Sequence, residues 1–166
     1  MTGKTHQLLG ITAGGGWYLI HTEPGYNPAT FGAVLVGSYF GALLPDIDEP
    51  TGKIWNLIPH GKILGQIADP FLKHRNITHS ILGAIIVGYL LYLLLNHFPD
   101  YWGINQIDVW IAVMIGYSSH LLADMFTVEG IPLFFPYPKM IGIPPKPFEG
   151  FRILTGKWFE NLVIFP

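Results

Sequence analysis

Three clusters of aspartate and histidine constrain this chain more than any other feature. Pro45-Asp46-Ile47-Asp48, His74-Arg75-Asn76-Ile77-Thr78-His79-Ser80 and His120-Leu121-Leu122-Ala123-Asp124 each sit at the end of an apolar run. The runs extend from Leu8 to Ile20, Thr30 to Leu44, Ile77 to Leu95 and Ile107 to Ala123. Ionisable groups are costly in apolar surroundings, so their repetition at the ends of successive runs points to a shared purpose. If the runs are helices of alternating direction, every cluster arrives at the same end of the bundle.

The run from Ile77 to Leu95 would be about 28 Å long as a helix, close to the ~30 Å hydrocarbon core of a bilayer. The other three are shorter and would need tilt or local thinning. Buried helices of a soluble all-α domain are the competing reading. Against it, the chain has no Lys or Arg between Gly10 and Pro50, nor between Asn76 and Lys139, where a soluble protein needs solvated faces. Only 12% of residues are charged and 50% are hydrophobic, roughly half the usual charge content. Glycines spaced four apart, Gly10/Gly14 and Gly37/Gly41, suit close helix contacts. The expected fold is therefore an all-α integral membrane protein with four transmembrane helices.

With four spans, all nine basic residues fall on one side, which places both termini in the cytoplasm and the chain in a plasma or inner membrane. The connector from 50 to 76, with its prolines and apolar residues, is expected to lie in the interface. A membrane domain over 1–138 would then be followed by a cytoplasmic-side tail, 139–166, whose mixture of aromatic, aliphatic and charged residues suggests an interfacial amphipathic helix. The N-terminus lacks the pattern of a cleaved signal peptide, so Met1 is expected to remain. Nine Lys/Arg against eleven Asp/Glu give no polybasic tract, which argues against nucleic acid as a partner.

There is no cysteine, so any metal site must use nitrogen and oxygen ligands. His120 and Asp124 are four apart and share a helix face, where they can converge on one ion. Asp46 and Asp48 follow Pro45, which disfavours helix at Leu44, and two carboxylates so close are tolerated when a cation neutralises them. His74 and His79 lie about 140° apart around a helix, so both can serve one ion only if the backbone bends. His79 is the better candidate, while Arg75 offers a forked donor for phosphate or carboxylate. The ordinary alternatives are helix caps and polar helix stops.

Taken in order, Leu43-Leu44-Pro45-Asp46-Ile47-Asp48, His74-Arg75, Thr78-His79-Ser80 and His120-Leu121-Leu122-Ala123-Asp124, with Thr127, Gly130 and Pro136 downstream, resemble the YdjM-type family of membrane-bound, predicted metal-dependent hydrolases. Lys4-Thr5-His6 is similar to that family's N-terminal motif, so the resemblance spans residues 4 to 136. It implies metal-dependent hydrolysis at the cytoplasmic membrane face. His6, Asp46, Asp48, His79, His120 and Asp124 would then hold one or two divalent ions; zinc or manganese suits this donor set best and iron also fits, whereas several histidines disfavour calcium. His74 would transfer protons and Arg75 would neutralise an anionic substrate. The expected substrate is a lipid-linked phosphoester presented by membrane lipid. A small transport protein and a non-catalytic metal-binding scaffold are the alternatives, although transporters place their charges near the midplane.

Overall fold

Four long helices form over the four apolar runs, and caps readable in the sequence set their starts. The computed structural model describes residues 1–21, 27–49, 52–68, 75–98 and 103–157. Helix α1 spans Gly3–His21. Helix α2, Pro28–Gly41, begins with proline at its first position, and the Asn27 side chain accepts from the amides of Ala29 and Thr30. Short helices α3 (Lys53–Asn56) and α4 (Gly61–Ala68) occupy the connector. Helix α5, Ile81–His97, is capped by Ser80, and α6, Gln106–Met125, by Asn105.

Proline 45 acts on the end of α2 through its missing amide. Leu44 keeps α-region dihedrals, but Pro45 has no N–H to offer the Gly41 carbonyl, and the chain tightens into a 3₁₀ turn over Pro45–Asp48. The amide of Leu44 bonds to both Phe40 and Gly41 carbonyls instead. That tightening carries Asp46 and Asp48 off the helix axis toward the bundle end.

The expectation of four transmembrane helices is overturned. Among the described residues, one helical stretch, Pro28–Asp48, is long and apolar enough to cross a membrane, with 21 residues and a mean hydropathy of 1.4. Helices α1 and α6 have the length but carry too many polar groups, among them Lys4, His6 and Gln7 in the first and Asp108, Ser118, Ser119, His120 and Asp124 in the second. Helix α5 has the composition but is shorter than the run that forecast it. Ile77–His79 form a separate 3₁₀ turn and Ser80 caps the helix, which leaves 17 residues, or about 26 Å. The fold is all-α with one helix able to span a bilayer. The amphipathic tail helix is also absent from the described residues. Lys146–Phe151 make a 3₁₀ turn, and Thr127 bridges to Ile153 and Ile131 to Ile141, which ties this tail to the segment after α6. The Arg152 guanidinium donates to the carbonyls of Pro144, Val128 and Gly142 and secures the same junction. Residues 158–166, the remainder of the forecast helix, lie outside the described residues.

Helices α1, α2 and α6 pack together through small residues. A Cβ on Gly41 would stand 2.2 Å from the Val113 carbonyl oxygen, and one on Gly116 would stand 2.3 Å from that of Ser38. Gly10 and Gly14 on α1 meet Ala42 and Ser38 in the same way. The close contacts forecast from glycine spacing are thus made, and they bring three backbones near enough for side chains at their ends to converge. Helix α5 lies against α6, with Trp110 Nε1 donating to the Gly88 carbonyl at 2.8 Å, while Ile85, Tyr89, Leu90 and Leu94 remain exposed on its outer face.

Gly41→Ala is expected to destabilise the protein by about 1–3 kcal/mol through forced separation of α2 and α6. Gly16→Ala, where a Cβ meets nothing within 4 Å, should be neutral or slightly stabilising. Thermal melting of both variants in one mild detergent checks the contrast.

Candidate metal centre

The three-helix packing delivers His6 from the first turns of α1, Asp46 and Asp48 from the turn after α2, His79 from the turn before α5, and His120 and Asp124 from the last turns of α6 to one locus. Sequence reasoning named all six, and the structure brings all six together. His74, named as a proton-transfer group, lies outside the described residues.

Four atoms form the centre. His120 Nε2 lies 3.5 Å from Asp46 Oδ1 and 3.8 Å from Asp124 Oδ2, while His79 Nε2 lies 3.9 Å and 3.8 Å from the same two oxygens. These separations are too long for good hydrogen bonds. They approach the roughly 3.4 Å between donors that share a tetrahedral ion with bonds of about 2.1 Å. Among the described residues His120 Nε2 is buried with no hydrogen-bond partner, which a protein rarely tolerates without another use for the lone pair. His6 approaches the opposite oxygen of the same carboxylate, with Nε2 3.2 Å from Asp124 Oδ1, and its ring stacks on that of His120 at a centroid distance of 3.6 Å. Two donor groups result, Asp46/His79/His120 and His6/His120/Asp124, joined through His120. The residues present fit one divalent ion, since His120 has only the Nε2 lone pair to offer and cannot serve both groups at once.

A second layer sets the ring orientations. The Ala42 carbonyl accepts from His120 Nδ1 at 2.7 Å, which leaves Nε2 to face the centre. Asp48 stands behind His79, with Oδ2 3.2 Å from Nδ1, and also accepts from the Thr78 hydroxyl and from the Arg75 amide at 2.9 Å. It belongs to neither donor group, and its position is that of a carboxylate orienting a ligand histidine. The Tyr117 hydroxyl donates to the Thr78 carbonyl and fixes the same turn, and burial raises the pKa of that phenol. Arg75 has a left-handed backbone, φ 55°, held in part by the bond from its amide to Asp48.

The electrostatics of His120 and Asp124 favour ligand-competent forms. Burial pushes His120 well below its usual pKa, and the neighbouring His6 adds to the shift, so the imidazole stays neutral. Burial opposes ionisation of Asp124, but the hydrogen bond and charge of His6 outweigh it and hold the carboxyl below its usual range. Asp124 also pairs with the Met1 amino group and, at 3.2 Å, with Arg75 Nη2. Sequence reasoning missed these partners and missed Glu129, whose Oε2 lies 2.7 Å from Arg75 Nη1. Neither the amino group nor Glu129 belongs to a spaced motif, so proximity could reveal them only after folding. Asp46 is the least buried member of the centre, at 17%, against 3% or less for His79, His120 and Asp124.

The family described as YdjM inner membrane protein matches residues 1–165. The chain belongs to the YdjM family. Among relatives, YvsG of Bacillus subtilis (strain 168) is 32% identical over 99% of this chain and 88% of its own length. Inner membrane protein YdjM of Escherichia coli (strain K12) is 33% identical over 80% of this chain, which spans only 57% of that protein. YfhP of Bacillus subtilis (strain 168) is 26% identical over 81% of this chain and 37% of its own length. No solved structure matches the chain. Family membership makes this an inner or plasma membrane protein, and its His/Asp cluster supplies a plausible metal-binding centre.

His120→Ala should lower metal affinity at least tenfold, because it removes the residue common to both donor groups. Asp48→Asn should lower it about 10–100-fold, since it weakens the support of His79 and of the Arg75–Thr78 turn without removing a donor from either group. Elemental analysis after equilibration with limiting zinc or manganese, alongside melting curves, checks both expectations.

Proposed function

We propose that this YdjM-family protein is a metal-dependent hydrolase that acts at the cytoplasmic membrane face on a lipid-linked phosphoester. The observation that carries the reading is the pair of donor groups Asp46/His79/His120 and His6/His120/Asp124, in each of which the donor atoms stand close enough to share a cation. Asp46 is the least buried of these donors, so a substrate would approach there. When bound, zinc or manganese supplies Lewis-acid polarisation and lets water act as a nucleophile near neutral pH.

The chain's own residues would do the rest. Asp124, His120, His79 and Asp46 fix the centre, His6 extends it, and Asp48 orients His79. Arg75 neutralises charge on the phosphoryl oxygens through its forked donors. The oxygen of water joins phosphorus, the ester P–O bond breaks, and a proton released from the water passes to the leaving oxygen, with His74 as carrier. The exposed apolar side chains of α5 would face lipid, which brings a substrate anchored in the bilayer to the same molecule.

A non-catalytic metal scaffold is the second reading, favoured by the near-complete burial of every one of these donors but Asp46, since closed metal sites are structural. The two differ in turnover. With protein in mild detergent and a panel of phospholipids and polyprenyl phosphates, chelation should abolish hydrolysis and one divalent metal should restore it. Asp124→Ala should reduce kcat/KM at least 100-fold. Hydrolysis that survives both treatments overturns the metal-dependent reading. Metal-dependent melting without turnover on any panel member selects the scaffold.

A further inference from the structure

The guanidinium that sequence reasoning reserved for substrate is already occupied. Arg75 Nη1 lies 2.7 Å from Glu129 Oε2 and donates to the Gly130 carbonyl at 3.0 Å, while Nη2 faces Asp124. The two carboxylates on it differ sharply in surroundings. Asp124 is 3% exposed and fixed by the centre, whereas Glu129 is 67% exposed and is held on its inner side by Arg75. Arg75 itself is nine-tenths buried, and its Nε has no hydrogen-bond partner among the described residues.

Glu129 also borders a cavity of about 800 Å³ enclosed by the segment after α6 and the tail, lined by Lys139 and Lys146 among others. Arg152, in the same wall, spends its guanidinium on three backbone carbonyls and stiffens the cavity. Glu129, which shares this wall with Glu149, thus has Arg75 on its inner side and lysines lining the cavity on its outer side. The Glu129 side of this pair is solvated, which limits its net stability, so an incoming anion can exchange for that carboxylate at small cost. Arg75 Nη1 would trade the Glu129 oxygen for a phosphoryl oxygen.

We infer that Arg75 is the floor of an anion subsite opening into the Lys139/Lys146 cavity, and that Glu129 is a displaceable carboxylate that occupies it until a phosphate-bearing ligand enters. The inference rests on the hydrolase reading for the identity of that ligand, but the exchange itself requires only a phosphate group. Glu129 is then a specificity residue, since it admits dianionic phosphate more readily than a weakly charged ester or peptide.

The probe is inorganic phosphate, titrated by calorimetry into full-length protein in detergent, both metal-loaded and chelated. Glu129→Gln should tighten phosphate binding roughly two- to fivefold, the scale of a partly exposed ion pair. Glu149→Gln removes a carboxylate from the same cavity without touching Arg75, and should change affinity less than that. In an Arg75→Ala background, the gain from Glu129→Gln should vanish. If the gain persists without Arg75, or if Glu149→Gln matches it, the effect is a general field and the displacement model fails. No gain in either metal state also overturns it. Failure of the hydrolase reading is separable: phosphate binding with the expected coupling but no turnover retains the subsite, whereas metal-dependent turnover without the coupling retains only the hydrolase.

Discussion

The Asp124 carboxylate is the point on which the bundle end depends. A carboxylate this deeply buried requires partners on every side, and a charge left unpaired there would cost several kcal/mol. One oxygen meets His6 and the Met1 amino group, and the other meets Arg75 and faces His79 and His120. Those partners come from α1, from the segment before α5 and from α6 itself. The same group that would hold a cation therefore joins three parts of the chain, so fold and centre are one arrangement at this end of the molecule. A substitution at Asp124 consequently acts on both, whereas one at Glu129 touches only the solvated rim.

Asp124 could not collect these partners if the helices stood at ordinary separation. Gly41 lies against the Val113 backbone and Gly116 against that of Ser38, and this intimacy lets the His6 and His120 rings stack at 3.6 Å. Small residues pack helices closely in lipid, where apolar side chains gain little by leaving the bilayer. Here the same device has a chemical result: imidazoles from different helices reach one locus without long, flexible side chains. The second layer then limits each ring to one useful direction, through the Ala42 carbonyl for His120 and Asp48 for His79.

The sequence made the donors legible because helical spacing is a local property. His120 and Asp124 had to share a face, and Pro45 had to end α2 by removing an amide, whatever the rest of the chain did. The order of the motifs likewise gave the family, which the match over residues 1–165 bears out. Span count failed where hydropathy had to be weighed against local hydrogen bonding. Ser80 serves as a cap and not as the fourth residue of a helix, and α5 is shortened accordingly. The tail failed because periodicity does not reveal bridges such as Thr127 to Ile153. Asp48 was read with Asp46 as an equivalent carboxylate, yet the 3₁₀ turn points them to different tasks, and backbone geometry of that kind is invisible in a Pro-Asp-Ile-Asp string.

The grouping of carboxylates also favours a cationic occupant. Among the described residues, Asp46, Asp48, Asp124 and Glu129 stand around the centre, and the Arg75 guanidinium pairs with two of them. His120 is held neutral by burial and so adds no positive charge. A divalent ion would offset the negative charge that such neighbouring carboxylates carry together. A phosphate arriving on Arg75 would add to that negative charge unless a carboxylate left, and Glu129 is the only one of these four in open solvent. The exposed position of Glu129 and the burial of the other three thus follow from one requirement: the carboxylates that hold a cation must stay, and the one that shares the anion's place must be able to leave.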